Sequence, residues 1–124
     1  MSETTRQPIL IVEDNPETRE VLERVLAISG YDVVTARDGL DGLAYLRDGG
    51  RAAVIVLDIA MPRMDGVAFR RALSDEPQWA NIPVIVYTAL PRRHVPDTIG
   101  VFRKGTDDPQ RLLDLLARAT RRPH

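Results

Sequence analysis

The sequence contains no cysteine. That absence excludes disulfide bonds and thiolate chemistry, and it is compatible with a reducing cytoplasm. No apolar run is long enough to span a membrane. Residues 1–7 are polar and lack the apolar core of a signal peptide. We therefore expect a cytoplasmic protein that does not enter a membrane.

A large net charge of either sign is also missing, since the formal net charge is only −1. A chain this close to neutral has no field that attracts nucleic acid, and we expect no direct DNA binding. The sequence has no internal repeat, no low-complexity tract and no linker to a second domain. Its 124 residues predict one domain, 1–124, with a core at about residues 8–120 and polar termini. We expect the domain to stand alone, without an output domain.

Five segments, three of them built on unbroken apolar runs rich in β-branched residues, predict β-strands. They are Ile9–Val12, Tyr31–Ala36, Ala53–Asp58, Pro83–Thr88 and Gly100–Lys104. Helical patterns lie between most of them. Because short loops join alternating strands and helices, we expect a parallel sheet covered on both faces. The expected fold class is α/β, a flavodoxin-like doubly wound five-stranded parallel sheet with strand order 2-1-3-4-5.

Capping residues and apolar stripes in the sequence predict where the helices begin and end. Asn15 is the predicted cap of a first helix that starts at Pro16 and ends at Gly30. Its apolar stripe is predicted to contain Val21, Leu22, Val25, Leu26 and Ile28.

Three further helices are predicted. Asp38-Gly39 is a predicted turn before a short second helix with Leu40, Leu43 and Ala44 on its stripe. A third begins near Asp65-Gly66 and ends around Ser74-Asp75-Glu76-Pro77, and the last begins at Asp108-Pro109.

Polar residues follow the predicted strands at the points where the strands end. The first strand is followed by Glu13 and Asp14; the third, fourth and fifth end in Asp58, Thr88 and Lys104. The carboxyl ends of parallel strands meet at one edge, where open α/β sheets bind ligands. Crowded carboxylates need a cation, and an all-oxygen set suits Mg²⁺ rather than zinc. With a lysine and a hydroxyl, these groups are the parts needed to hold a phosphoryl group on a carboxylate.

In these positions the sequence resembles the receiver domain of two-component response regulators, over essentially the whole chain. The matching residues are Glu13-Asp14, Asp58, the loop Met61-Pro62-Arg63-Met64-Asp65-Gly66, Thr88-Ala89 and Lys104.

The resemblance implies a role for each acidic residue. Asp58 would be the phosphoacceptor. Asp14 would bind Mg²⁺ directly together with Asp58 and the backbone carbonyl of Ala60, and Glu13 would act mainly through water.

The resemblance also implies how the phosphoryl group is held and who supplies it. Lys104 would pair with its oxygens, and Thr88 would move to donate a hydrogen bond to it. The donor would be a phosphohistidine on a histidine kinase or a histidine phosphotransfer protein, and the output would be contact with a downstream protein target. Homodimer formation stays open.

The sequence departs from the family between Thr88 and Lys104. This stretch is shorter than usual by about six residues, which is more than a turn and a half of helix. It also contains Pro91 and Pro96. We therefore expect the family's fourth helix to be short or irregular.

Two further departures lie near Lys104. Val101 occupies the place of the family's switch aromatic, while Phe102 is expected to point to the other face of the strand, into the core. The residue after Lys104 is Gly105 rather than proline, so a cis peptide is not the default, and the sequence leaves cis or trans open.

The sequence allows three other interpretations. In the simplest interpretation, Glu13 and Asp14 only cap the first helix. A degenerate receiver would act as a phosphorylation-independent interaction module. A phosphatase of the haloacid dehalogenase type would need a second aspartate where this chain has Ala60, and a cap domain. We therefore expect a phosphoacceptor and not a multiple-turnover enzyme.

Overall fold

The computed structural model describes residues 7–58, 66–88, 100–103 and 108–120. The described strands are β1 (Ile9–Val12), β2 (Val33–Ala36), β3 (Val54–Leu57), β4 (Val84–Thr88) and β5 (Gly100–Arg103). The described helices are α1 (Pro16–Ile28), α2 (Gly39–Arg47), α3 (Gly66–Ser74) and α4 (Pro109–Thr120). The segment in which a short or irregular helix was expected, between β4 and β5, lies outside the described residues.

The five strands form one sheet in the order β2-β1-β3-β4-β5, and every neighbouring pair is parallel. The predicted fold class is therefore confirmed. Several strand boundaries were wrong by one or two residues. Strand β2 begins at Val33 and not at Tyr31, β3 spans Val54–Leu57 and not Ala53–Asp58, and β4 begins at Val84 and not at Pro83.

Helices cover both faces of the sheet. Alternate residues of a strand point to opposite faces, and in β1 this places Leu10 and Val12 in one core cluster and Ile9 and Ile11 in another. The first cluster includes residues of α2 and α3. The second includes residues of α1 and α4. The sheet is therefore buried on both sides, as the unbroken apolar runs of its central strands predict.

Helix α1 presents a narrower apolar stripe to the sheet than predicted. Leu22 and Leu26 are buried, whereas Val21, Val25 and Ile28 are exposed. Residues four apart lie on the same side of a helix, while their neighbours in the sequence are rotated by about 100°. Val21 and Val25 therefore fall on a flank that the sheet does not cover.

Helix α1 ends where the sequence indicated. Its last residue is Ile28, and Gly30 has a φ of 99°. A residue with a Cβ adopts this left-handed conformation only with strain. The predicted glycine end of the helix is confirmed.

Helix α2 starts earlier than predicted. The Asp38 side chain is buried and accepts a hydrogen bond of 2.8 Å from the Asp41 backbone N–H. This is the bond of an N-cap residue. The dipeptide Asp38-Gly39, predicted as a turn, is thus the cap and first residue of the helix.

The predicted stripe of α2 was wrong in part. Leu43 and Leu46 are buried, but Leu40 and Ala44 are exposed. A Cβ added to Gly42 would lie 3.2 Å from Cε1 of Phe69 in α3. The small residue at this position therefore allows α2 and α3 to pack closely, and the buried side of α2 runs through Gly42, Leu43 and Leu46.

No described helix combines the length and the apolar content that crossing a bilayer requires.

The burial pattern of α1 predicts a large difference between two substitutions in one helix. Leu26 is 0% exposed and Ile28 is 81% exposed. Leu26→Ala leaves a cavity in the core and is expected to lower the free energy of unfolding by about 2–5 kcal/mol. Ile28→Ala removes mainly solvated surface, and its effect should stay within about 0.5 kcal/mol. Urea unfolding measures both, and equal losses would contradict this placement of α1.

Candidate metal site at the carboxyl edge of the sheet

The pairing of β1 with β3 places two acidic residues side by side. Val12 is the register partner of Leu57. Glu13 and Asp58 follow these partners directly. The Asp58 backbone N–H continues the ladder by donating a hydrogen bond of 3.0 Å to the carbonyl of Val12. The carboxyl edge of the sheet therefore holds both residues in fixed backbone positions.

Three carboxylates meet at this edge, as predicted. Glu13, Asp14 and Asp58 each offer a carboxylate oxygen, and these oxygens lie within 4.8 Å of one another. Glu13 is 1% exposed and Asp58 is 6% exposed, while Asp14 is open to solvent. The cluster thus has two buried members and one exposed member, so an ion can reach it from solvent on the side of Asp14.

This donor set fits a hard divalent cation. Carboxylates crowded in a partly buried site repel one another unless a positive charge is placed between them. Mg²⁺ takes oxygen ligands at about 2.0–2.1 Å, so opposite oxygens of its octahedron are about 4.2 Å apart. Oxygens within 4.8 Å of one another reach that geometry through small shifts or through a bridging water. The residues present therefore fit Mg²⁺.

The loop that carries the acidic pair is held by its own hydrogen bonds. The Asn15 side chain accepts a hydrogen bond of 2.9 Å from the Thr18 backbone N–H and caps α1. The Asn15 backbone N–H in turn donates to Oε2 of Glu13 at 3.2 Å. Asn15 is the predicted cap, and this prediction is confirmed. The interpretation that Glu13 and Asp14 serve only as caps is not supported, because Asn15 occupies the cap position.

A cation that the sequence reasoning missed anchors this loop. Nη1 of Arg19 donates a hydrogen bond of 3.0 Å to the backbone carbonyl of Glu13. Arg19 lies early in α1, where the helix dipole disfavours positive charge. An arginine in that unfavourable position indicates a specific contact, and this signal could have been recognised from the sequence.

The other predicted site residues are placed only in part. Thr88 is the last residue of β4, and its register partner is Arg103 of β5. Val86 pairs with Leu57, so the backbone of Thr88 lies at the same edge of the sheet as Asp58. The side chain of Thr88 lies outside the described residues, as do Ala60 and Lys104.

Phe102 in β5 lies where it was predicted. Val101 is half-buried, and Phe102 is buried in the core shared with α1 and α4. The ring of Phe102 stacks on the ring of Tyr87, with centroids 5.2 Å apart and an angle of 1° between the planes. The prediction that Phe102 is a core residue is confirmed; its pairing with Tyr87 was not foreseen.

The strand order of the sheet and the acidic cluster at its carboxyl edge together define a flavodoxin-like protein with a site suited to a divalent cation. Comparison with known sequences is more specific, since residues 9–109 match the response regulator receiver domain. The chain belongs to this family. Members of the family act with histidine kinases and downstream effectors.

Individual relatives agree with this assignment. Response regulator MprA of Mycobacterium sp. (strain KMS) is 37% identical over 114 residues, which cover 89% of this chain and 47% of that protein. The probable transcriptional regulator ycf27 of Porphyridium aerugineum is 35% identical over 103 residues, which cover 83% of this chain and 40% of that protein. The chain thus spans less than half the length of these relatives.

The fold is also shared with solved structures. Chemotaxis protein CheY4 of Vibrio cholerae superposes with a TM-score of 0.82 at 30% identity, covering 93% of this chain and 99% of that chain. The likeness therefore extends over nearly the whole of both chains.

Arg19 provides a test of how the acidic loop is positioned. Arg19→Met removes the hydrogen bond to the Glu13 carbonyl, and we expect the affinity for Mg²⁺ to fall about three- to tenfold, the usual worth of one such bond. Loss of a nearby positive charge would by itself favour Mg²⁺, so a decrease reports on the hydrogen bond. Isothermal titration calorimetry measures the affinity.

Arg24→Met is the matched control. Arg24 lies in the same helix, is exposed, and forms a 4.0 Å ion pair with Glu20. Its removal should leave Mg²⁺ binding unchanged or slightly stronger. An equal affinity in the two variants would show that Arg19 does not position the loop.

Proposed function

We propose that this receiver accepts a phosphoryl group on Asp58, in a Mg²⁺-dependent reaction, from a phosphohistidine on a histidine kinase or phosphotransfer protein. One observation carries the proposal. Asp58 is a nearly buried carboxylate at the end of a central strand, and its oxygen lies within 4.8 Å of those of Glu13 and Asp14. A nucleophile and its acidic partners therefore occupy one site.

The transfer is a displacement at phosphorus. A carboxylate oxygen of Asp58 forms the new P–O bond while the P–N bond of the donor breaks. The electron pair of that bond stays on the imidazole nitrogen, which takes up a proton from solvent. The product is a mixed anhydride of Asp58 and phosphate. Bound Mg²⁺ would supply positive charge next to the phosphoryl oxygens.

Asp14 and Glu13 prepare the site for this step. Asp14, the exposed member of the cluster, is proposed as the direct ligand with Asp58, and the backbone carbonyl of Ala60 as a third. Glu13, held by the Asn15 N–H and by Arg19 on its own carbonyl, is proposed to act through water. Thr88 and Lys104 are proposed to bind the phosphoryl oxygens after transfer.

The output follows from charge. A phosphoryl group adds roughly −1.5 to −2 charges and new acceptor oxygens. Placed on Asp58, this charge would bias the neighbouring loops toward a second conformation that a downstream protein recognises. On this proposal the chain is a phosphoacceptor and not a multiple-turnover enzyme. A stand-alone mode of action, a cytoplasmic location and the absence of DNA contact stay predictions, and homodimer formation stays open.

A second function is favoured by one observation. Val101, which is half-buried, replaces the aromatic side chain that the family uses as a switch. A receiver without that switch would be a constitutive interaction module that needs no phosphorylation. The two functions differ in whether Asp58 is modified.

Asp58→Asn decides between these functions. Incubation of the wild type with Mg²⁺ and acetyl phosphate should give one hydroxylamine-sensitive phosphoryl adduct, detected by intact mass spectrometry, because an acyl phosphate is cleaved by this nucleophile. Asp58→Asn should give none. Asp48→Asn changes an exposed aspartate after the end of α2 and should be modified like the wild type.

Each contrary outcome has a meaning. A wild type that stays unmodified in Mg²⁺ would exclude the phosphoacceptor and favour the interaction module. Rapid hydrolysis of many phosphoesters would favour a phosphatase instead.

A further inference from the structure

The Tyr87–Phe102 pair is a cross-strand side-chain contact at the end of the sheet that leads to the proposed site. Tyr87 and Phe102 are register partners in β4 and β5. Their rings are stacked with centroids 5.2 Å apart. Tyr87 directly precedes Thr88, and Phe102 precedes Lys104 by two residues. In the sequence, the two rings thus come directly or two residues before the residues that are proposed to hold the phosphoryl group.

Strand β5 is the last strand in the sheet order, and β4 is its described neighbour. An edge strand is held by one ladder of hydrogen bonds, so side-chain contacts to its single neighbour matter more for its position. Offset parallel rings at this separation attract one another beyond the effect of their burial. The stack thus adds a side-chain contact to the backbone pairing of β4 with β5.

Packing on α4 gives this pair a rigid base. Phe102 is buried in the core cluster that contains Leu112, Leu115 and Leu116 of α4, and Tyr87 packs against the same cluster. A Cβ added to Gly100 would lie 2.8 Å from a methyl carbon of Leu115, so α4 lies close against β5. The rings belong to the core under α1 and α4, and they would act on the site through the backbone.

We propose that the Tyr87–Phe102 stack positions the ends of β4 and β5 for binding the phosphoryl group, as a pair of positioning residues on the face of the sheet opposite to Val101. This inference rests on the proposed function.

The acidic cluster and the stack belong to different strands, and this separation gives the test. Glu13, Asp14 and Asp58 follow β1 and β3, whereas the stack joins β4 to β5. Beryllofluoride, an analogue of the phosphoryl group, would contact Thr88 and Lys104 as well as Asp58. Tyr87→Leu should therefore weaken beryllofluoride binding at saturating Mg²⁺ and leave the affinity for Mg²⁺ alone unchanged.

The expected loss of beryllofluoride affinity is about three- to tenfold, the range that corresponds to losing one aromatic pair. Titration followed by ¹⁹F NMR measures it, and calorimetry measures Mg²⁺ binding. Phe102→Leu should give a similar loss. The double variant should lose little more than either single variant, because both changes remove the same contact.

Two control variants separate positioning from general loosening of the core. Tyr87→Phe keeps the stacked ring and should bind beryllofluoride more tightly than Tyr87→Leu. Tyr31→Leu changes a tyrosine that is also half-buried against the α1–α4 core cluster, but next to β2, and should bind normally. If Tyr87→Leu does not fold, Phe102→Met carries the same test with a side chain of closer volume.

The outcomes distinguish this inference from the function on which it rests. Unchanged beryllofluoride affinity in Tyr87→Leu and Phe102→Leu would overturn the inference alone. An equal fall in Mg²⁺ and beryllofluoride affinity, or the same loss in Tyr31→Leu, would reduce the stack to a structural role and also overturn it. A wild type that binds Mg²⁺ but no beryllofluoride would overturn the proposed function, and the inference with it.

Discussion

The parallel register of β1 and β3 is the constraint on which the site depends. Val12 is paired with Leu57, and each strand then continues into an acidic residue. A slip of one residue would turn every side chain of β1 to the other face of the sheet. Because both faces are filled by packed core residues, that slip is strongly disfavoured. The apolar core thus holds Glu13 and Asp58 together despite the repulsion between their charges.

Local patterns in the sequence were sufficient to predict the fold and the members of the acidic cluster. Apolar runs define the central strands because a parallel sheet buries both faces. Asn15 and Gly30 mark the ends of α1 by their backbone and capping preferences. Once the strand order is that of a doubly wound sheet, Asp58 and the acidic pair fall at one edge, since the strands all point the same way.

Contacts between elements could not be predicted in the same way. Helical periodicity shows that α1 is amphipathic, but it does not fix which flank the sheet covers, and so Val21 and Val25 were wrongly included in the stripe. The bond from Arg19 to the Glu13 carbonyl depends on how α1 leaves its loop. The stacking of Tyr87 on Phe102 depends on the register of β4 and β5, which no local pattern encodes.

Unfolding linked to Mg²⁺ tests the central claim, that the sheet holds the carboxylates together in a site completed by a cation. Thermal unfolding of the wild type and Asp14→Asn is compared with and without Mg²⁺ at constant ionic strength. Mg²⁺ should stabilise the wild type, by about 2.7 kcal/mol at one hundred times its Kd. Asp14→Asn should be more stable than the wild type without Mg²⁺ and gain little from it. A wild type that is indifferent to Mg²⁺, or equal stabilisation of both proteins, would contradict the account.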